Sequence, residues 1–113
     1  MNQTSNSLTR AGFLILFALG GGDKHGYALM REARELSDGE FQIGPATLYT
    51  TIQRLLESGW IAEVPGPRDS DSRRRHYGLT GSGRSELNLE LKRMEAIVKK
   101  SKSMRLRAAG ATS

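Results

Sequence analysis

Apolar and polar positions change period along this chain, and the changes mark out its elements. The run Ala11-Gly12-Phe13-Leu14-Ile15-Leu16-Phe17-Ala18-Leu19 is apolar throughout. A bilayer span takes about 20 residues, so this run is too short to cross one. Behind Arg10 it has the form of a signal-peptide core. A buried first helix over residues 8–19 is the preferred reading, because Leu8, Leu14, Ile15, Leu19, Leu29 and Leu36 otherwise lack partners for a core. Gly20-Gly21-Gly22-Asp23-Lys24 breaks the pattern as a loop. A second helix follows over residues 26–36, with Tyr27, Leu29, Met30, Ala33 and Leu36 as its apolar contacts. Ser37-Asp38-Gly39 is a turn. Phe41-Gln42-Ile43 alternates apolar and polar and predicts a very short strand.

The period then returns to that of a helix. Leu48, Ile52, Leu55 and Leu56 fall at i, i+4, i+7 and i+8, a core-facing stripe. Pro45 suits a first turn and Gly59 the residue just past the end. Opposite the stripe, at about 100° per residue, lie Ala46, Thr50 and Gln53, flanked by Thr47, Tyr49 and Arg54. Small, hydroxyl, amide and guanidinium groups can enter a DNA major groove and bond to phosphates or base edges. The only acid on this helix, Glu57, sits in its last turn. The bland alternative is a solvated polar face, with Tyr49 packing its ring at the edge of the core.

Beyond Trp60, Ile61-Ala62-Glu63-Val64 alternates as a strand, and residues 65–72 are a loop by composition. Residues 73–79 contain a returning strand with His76 or Tyr77 and Leu79 placed to pack. Thr80 is a good N-cap for a last helix, whose first turn Gly81 and Gly83 weaken. Leu87, Leu91, Met94 and Val98 are spaced alternately by four and three, a two-heptad apolar seam that Ile97 widens. So late a seam has little of its own domain left to cover it, which points to a second copy of the chain.

Composition narrows the picture. The chain has 113 residues, 17 Lys and Arg against 12 Asp and Glu, and a formal net charge of +5. That balance favours anionic partners. The clustering says more. Arg73-Arg74-Arg75 form one run, which also serves as a charged strand edge against aggregation. Lys99, Lys100, Lys102, Arg105 and Arg107 form another, with no acid between them, and cations there complement a helix C-terminus. Absence of cysteine excludes disulfides, thiolate metal sites and cysteine nucleophiles. His25 and His76 stand alone and make poor metal or catalytic candidates, His25 serving better as a cap on the second helix. Gly20 to Lys24 is no phosphate loop, since no Gly-Lys-Ser/Thr follows. No nucleophile–base pair, paired acid or cofactor motif is present, and an enzyme is the poorest reading.

The order helix, helix, short strand, helix, hairpin is that of a winged helix-turn-helix, with residues 46–58 as recognition helix and the hairpin as wing. The fold class is therefore mainly α with a small β hairpin, a winged helix-turn-helix plus a C-terminal dimerisation helix. Residues 1–7 read as disordered, 8–80 as the DNA-binding domain, 81–106 as the dimerisation helix and 107–113 as a disordered tail.

Four segments resemble the PadR-like transcriptional regulators. They are Arg10-Ala11-Gly12-Phe13-Leu14-Ile15-Leu16, His25-Gly26-Tyr27, Ala46-Thr47-Leu48-Tyr49 through Trp60-Ile61, and Arg73-Arg74-Arg75-His76-Tyr77-Gly78-Leu79-Thr80. The resemblance covers about residues 8–95 and looks like the small subclass with one C-terminal helix. It implies a homodimeric, DNA-binding regulator, usually a repressor, and the matching partner is a partly palindromic operator on double-stranded DNA. Thr47 and Tyr49 would face DNA and Arg74 and Arg75 would lie on the wing. It further implies a site for a planar aromatic effector between C-terminal helices, drawing on Leu91, Met94, Ile97 or Val98. Lack of cysteine fits a cytoplasmic protein, and the residues lead to no expectation of a membrane partner, cofactor or metal. The chain departs from the family pattern at Ser72, where glycine is common, at His76, where tyrosine is common, and at Gly78, where a large residue is common. Met94 stands where some ligand-binding relatives place tryptophan. The rival to an operator-binding regulator is a winged-helix module that binds a protein partner.

Overall fold

A computed structural model describes residues 8–67 and 74–112, with side chains to Met104. The element order is α1 (Arg10–Leu19), β1 (Lys24–His25), α2 (Gly26–Leu36), α3 (Pro45–Glu57), β2 (Ile61–Val64), β3 (His76–Leu79) and α4 (Gly81–Thr112). The fold is mainly helical with a small antiparallel sheet, as the hydrophobic pattern implies. The expectations for residues 1–7, for Ser72 and for Arg73 lie outside the described residues.

α1 is the centre of the core. Thr9 caps it, its Oγ1 accepting from the Gly12 N–H at 3.0 Å. Its continuous apolar run is buried because α2, α3, β3 and α4 all pack on it, leaving Ile15 and Leu16 fully inaccessible. A helix apolar on nearly every side needs such surroundings.

α3 follows its predicted stripe, with Leu48, Ile52 and Leu55 buried and Leu56 half-buried. Its end is a double bond set: Gly59 N–H to Leu56 O at 3.0 Å and Trp60 N–H to Leu55 O at 3.1 Å. That closure requires a left-handed residue after the cap, and Gly59 has φ +78°.

The strands depart from the sequence reading. Phe41-Gln42-Ile43 is not a strand. The Phe41 N–H donates to the Ser37 hydroxyl at 3.0 Å, and Ile43 is buried in the core, so this alternation belongs to a loop closed on the end of α2. The third strand is β1, immediately before α2. It pairs antiparallel with β3, Lys24 opposite Tyr77 and His25 opposite His76. On its other side β3 pairs with β2, Ile61 opposite Leu79 and Val64 opposite His76. The order β1-β3-β2 makes β3 the central strand. His76, Tyr77 and Gly78 are all buried there, where the sequence suggested only alternate positions. A Cβ on Gly78 would meet the Asp23 carboxylate, which would have to turn aside.

α4 begins as expected. The Thr80 Oγ1 accepts from the Gly83 N–H at 3.0 Å and donates to the Gly59 carbonyl at 2.6 Å. Gly83 is a packing necessity, because a Cβ there would overlap the Trp60 carbonyl. Two expectations about this helix change. Leu87 is not free for a second copy: it is 5% exposed and lies over the C-terminal end of α1, where its Cδ2 would be 3.5 Å from a Cβ on Gly20. And the helical backbone continues past residue 106 to Thr112, where a disordered tail was expected. Ala108, Ala109 and Ala111 are strong helix formers, which favours that continuation.

Candidate nucleic-acid interface

α3 presents its polar side outward. Ala46, Thr47, Tyr49, Thr50, Gln53 and Arg54 are all exposed, and Tyr49 is 58% exposed. Tyr49 is thus a surface ring, not a core edge. Its hydroxyl lies close over the start of α2, 3.7 Å from where a Cβ on Gly26 would stand. The Gln53 side chain donates to Glu57 at 3.3 Å, which turns its amide toward the C-terminal end of the helix.

Grooves lie on both flanks of this helix. One, of about 350 Å³, brings Thr47, Thr50 and Arg54 together with Thr9, Arg10 and Phe41. The Arg10 guanidinium sits 5.2 Å above the Phe41 ring, so a second cation faces the same side as Arg54. The other, of about 410 Å³, brings Tyr49 together with His25, Gly26, Tyr27, Arg74 and Arg75. The wing arginines and α3 therefore border one depression. Arg74 and Arg75 take different partners. Arg74 Nη1 lies 3.4 Å from His25 Nε2, whereas Arg75 Nη1 lies 3.5 Å from Glu63 on β2. The Arg75–Glu63 pair is exposed and holds weakly, so the guanidinium remains available to another anion.

His25 caps α2, its Nδ1 accepting from the Ala28 N–H at 3.3 Å. Its pKa is lowered, first by burial, then by the neighbouring charges of Arg74, His76 and Arg31. His76 stacks edge-on against it at 5.5 Å, and the buried His76 Nδ1 has no hydrogen-bond partner among the described residues. Burial pushes the Tyr77 phenol up, with Glu63 adding to the effect. Among the described residues no three His, Cys, Asp or Glu side chains converge as metal ligands.

Residue-level reading of the sequence did not single out Arg10, His25 or Tyr27 as part of this face. Tyr27 is 61% exposed with the Arg31 guanidinium 5.7 Å from its ring centre. The only hint lay in the segment His25-Gly26-Tyr27. What carries it to the wing is the β1–β3 pairing.

The residues expected to join two chains separate into two groups. Leu87 and the half-buried Leu91 pack on the chain's own core. Met94, Ile97 and Val98 remain exposed, Ile97 at 65%. No helix among the described residues is long and apolar enough to cross a membrane.

Comparison with known proteins agrees with this geometry. A PadR family transcription regulator from hypervirulent Clostridium difficile superposes with a TM-score of 0.72 at 24% identity, over 85% of this chain and 98% of that one. A transcriptional regulator from Clostridium thermocellum gives 0.68 at 26% identity, over 82% and 87%. Bacillus subtilis PadR in complex with operator DNA gives 0.61 at 24% identity, over 71% of this chain and 45% of that one. An uncharacterized Lysinibacillus sphaericus protein is 33% identical over 66 residues, 58% of this chain and 61% of its own length. The model of the transcriptional regulator PadR-like family matches residues 15–89, from the middle of α1 into α4. With more than half of its length so matched, this chain belongs to the PadR-like family of transcriptional regulators.

Proposed function

We propose that this regulator binds a partly palindromic operator on double-stranded DNA as a homodimer, in the cytoplasm, and represses transcription from it. The observation that carries the reading is the shared groove in which Tyr49 of α3 meets Arg74 and Arg75 of the wing. A duplex placed there meets Ala46, Thr47, Thr50, Gln53 and Arg54 in its major groove and the wing on its backbone. Arg73, next in the run, extends the same charge. Residues 8–80 form the DNA-binding unit and α4 the dimerisation helix. The relative of the same fold from Bacillus subtilis, seen with operator DNA, supports the choice of ligand.

Dimerisation rests on exposed apolar groups. From residue 92 to Met104 nearly all of α4 is exposed, yet it carries Met94, Ile97, Val98 and Met104. A helix gains most of its stability from packing an apolar face, and a second α4 supplies one. Two recognition helices so joined would enter successive major grooves about 34 Å apart. A small planar effector would lodge between the helices at Leu91, Met94, Ile97 and Val98 and release the operator.

The test is selection of bound genomic fragments with the purified protein, followed by affinity measurement over a range of salt. DNA binding loses affinity steeply with ionic strength. Arg54→Ala should weaken the complex by about 1–3 kcal/mol if it reads a base. Undiminished binding by the Tyr49→Ala, Arg54→Ala double variant would remove α3 as the reading face. A flat salt dependence would favour a protein partner instead.

A further inference from the structure

His25 makes two contacts that no single neutral imidazole can make. Its Nδ1 accepts from the Ala28 N–H at 3.3 Å, which requires that nitrogen to be bare. A neutral imidazole with a bare Nδ1 carries its proton on Nε2. Yet Nε2 lies 3.4 Å from Arg74 Nη1, and a guanidinium only donates. The cap therefore leaves two N–H donors facing one another across a short gap. Protonating the ring would not resolve this, since both nitrogens would then donate and the cap would be lost. With the cap kept, an acceptor that both donors share would resolve the arrangement; the other tautomer would accept from Arg74 only by giving up the cap.

The surroundings name the kind of acceptor. The groove holding this pair is also lined by Tyr27, Tyr49 and Arg75, and among the described residues none that lines it is acidic. Both tyrosines are exposed and their hydroxyls can donate. Arg31 adds a third cation, 5.7 Å from the Tyr27 ring. The Glu63 carboxylate is paired with Arg75 from the β2 side. Charge-assisted bonds from a guanidinium to a phosphate are among the stronger protein hydrogen bonds.

We infer that the groove between α2, Tyr49 and the wing is a phosphate site, in which one phosphate oxygen accepts jointly from His25 Nε2–H and Arg74. Resting on the DNA-binding reading, the phosphate is a backbone phosphate of the duplex, beside the major groove that α3 enters. His25 then has two jobs. It terminates the start of α2 through Nδ1, and that bond sets the tautomer whose Nε2–H faces the ligand. Arg74 supplies the charge. The β1–β3 pairing holds the two together although 49 residues separate them in sequence.

The experiment uses the full chain, with inorganic phosphate and a mixed-sequence duplex as separate probes. Imidazole nitrogen NMR at neutral pH should show His25 protonated on Nε2, with its resonances and the Gly26 and Tyr27 amides moving on addition of phosphate. His25→Asn keeps an N-cap side chain but removes the Nε2 donor. It should lose the phosphate response with its urea midpoint little changed, and bind duplex about tenfold more weakly. Arg74→Ala should lower the salt slope of duplex binding by about one. If both variants bind duplex as the parent does, with the same slope, and phosphate leaves His25 unmoved, the site is refuted while the DNA reading stands. If phosphate moves His25 but no duplex binds, the site stands for a free phosphate and the DNA reading falls.

Discussion

Replacing Gly83 with alanine should unfold this protein more easily, against what helix propensity alone dictates. Inside a helix, glycine to alanine gains up to about 1 kcal/mol. At Gly81 a Cβ meets nothing within 4 Å, so Gly81→Ala should collect part of that gain. At Gly83 the new Cβ would overlap the Trp60 carbonyl, the group that accepts from Thr80 N–H at 3.1 Å. Neither side can yield cheaply, because both atoms belong to backbone fixed by the α3 end and the α4 start. Overpacking of this kind costs about 1–3 kcal/mol, occasionally more. The net for Gly83→Ala is therefore about 0–2 kcal/mol of destabilisation, and a difference between the two variants of about 1–3 kcal/mol. Urea unfolding at one fixed protein concentration measures it, with equal m-values required for the comparison. If Gly83→Ala is as stable as Gly81→Ala, or more so, the close seating of α4 on Trp60 is wrong. The position also fixes the direction in which α4 leaves the rest of the fold.

The same joint can be probed at Thr80. Thr80→Ala removes both the cap and the bond to the Gly59 carbonyl, and should lower the unfolding free energy by about 0.5–2 kcal/mol, with Thr80→Ser restoring most of it. Ile97→Asp, at a site 65% exposed in the single chain, should shift sedimentation toward monomer while leaving the helical signal of residues 10–79 intact. Leu87→Ala should instead destabilise the fold itself by about 2–5 kcal/mol, because Leu87 is buried in its own chain; equal effects of the two on assembly would contradict the division of α4 described above. His25 is expected to make stability depend on pH. Its folded pKa lies below the ordinary 6.5, so the unfolded chain takes up the proton first. Stability from this group is complete above about pH 6.5 and is lost as pH falls below that. The urea midpoint should drop between pH 7.5 and 5.5 in the parent and less in His25→Asn, and identical profiles would show that His25 is not the group responsible.

Much of the fold was legible because its information is local. The stripe Leu48, Ile52, Leu55, Leu56, the start at Pro45, the stop at Gly59 and the cap at Thr80 each need only a few neighbouring residues to act. Helical period, backbone preference and side-chain capping are short-range effects, and they placed α2, α3, β2 and the start of α4. The exposed polar side of α3 follows from the same period. Alternation misled at Phe41-Gln42-Ile43, where a side-chain bond from Ser37 replaced a strand ladder.

What the tertiary structure alone decided involves residues distant in sequence. Lys24 and His25 carry no strand pattern of their own, and they become a strand because β3 offers an open edge. That pairing encloses β3 on both sides, brings His25 to Arg74, and sets Gly78 beside the Asp23 side chain. Likewise the seam Leu87, Leu91, Met94, Val98 is continuous in sequence, yet the chain's own core covers its first two members and leaves the rest bare. Periodicity states which side of a helix is apolar. Only the packing of the other elements determines how far along that side their cover reaches, and therefore where the chain's own core stops.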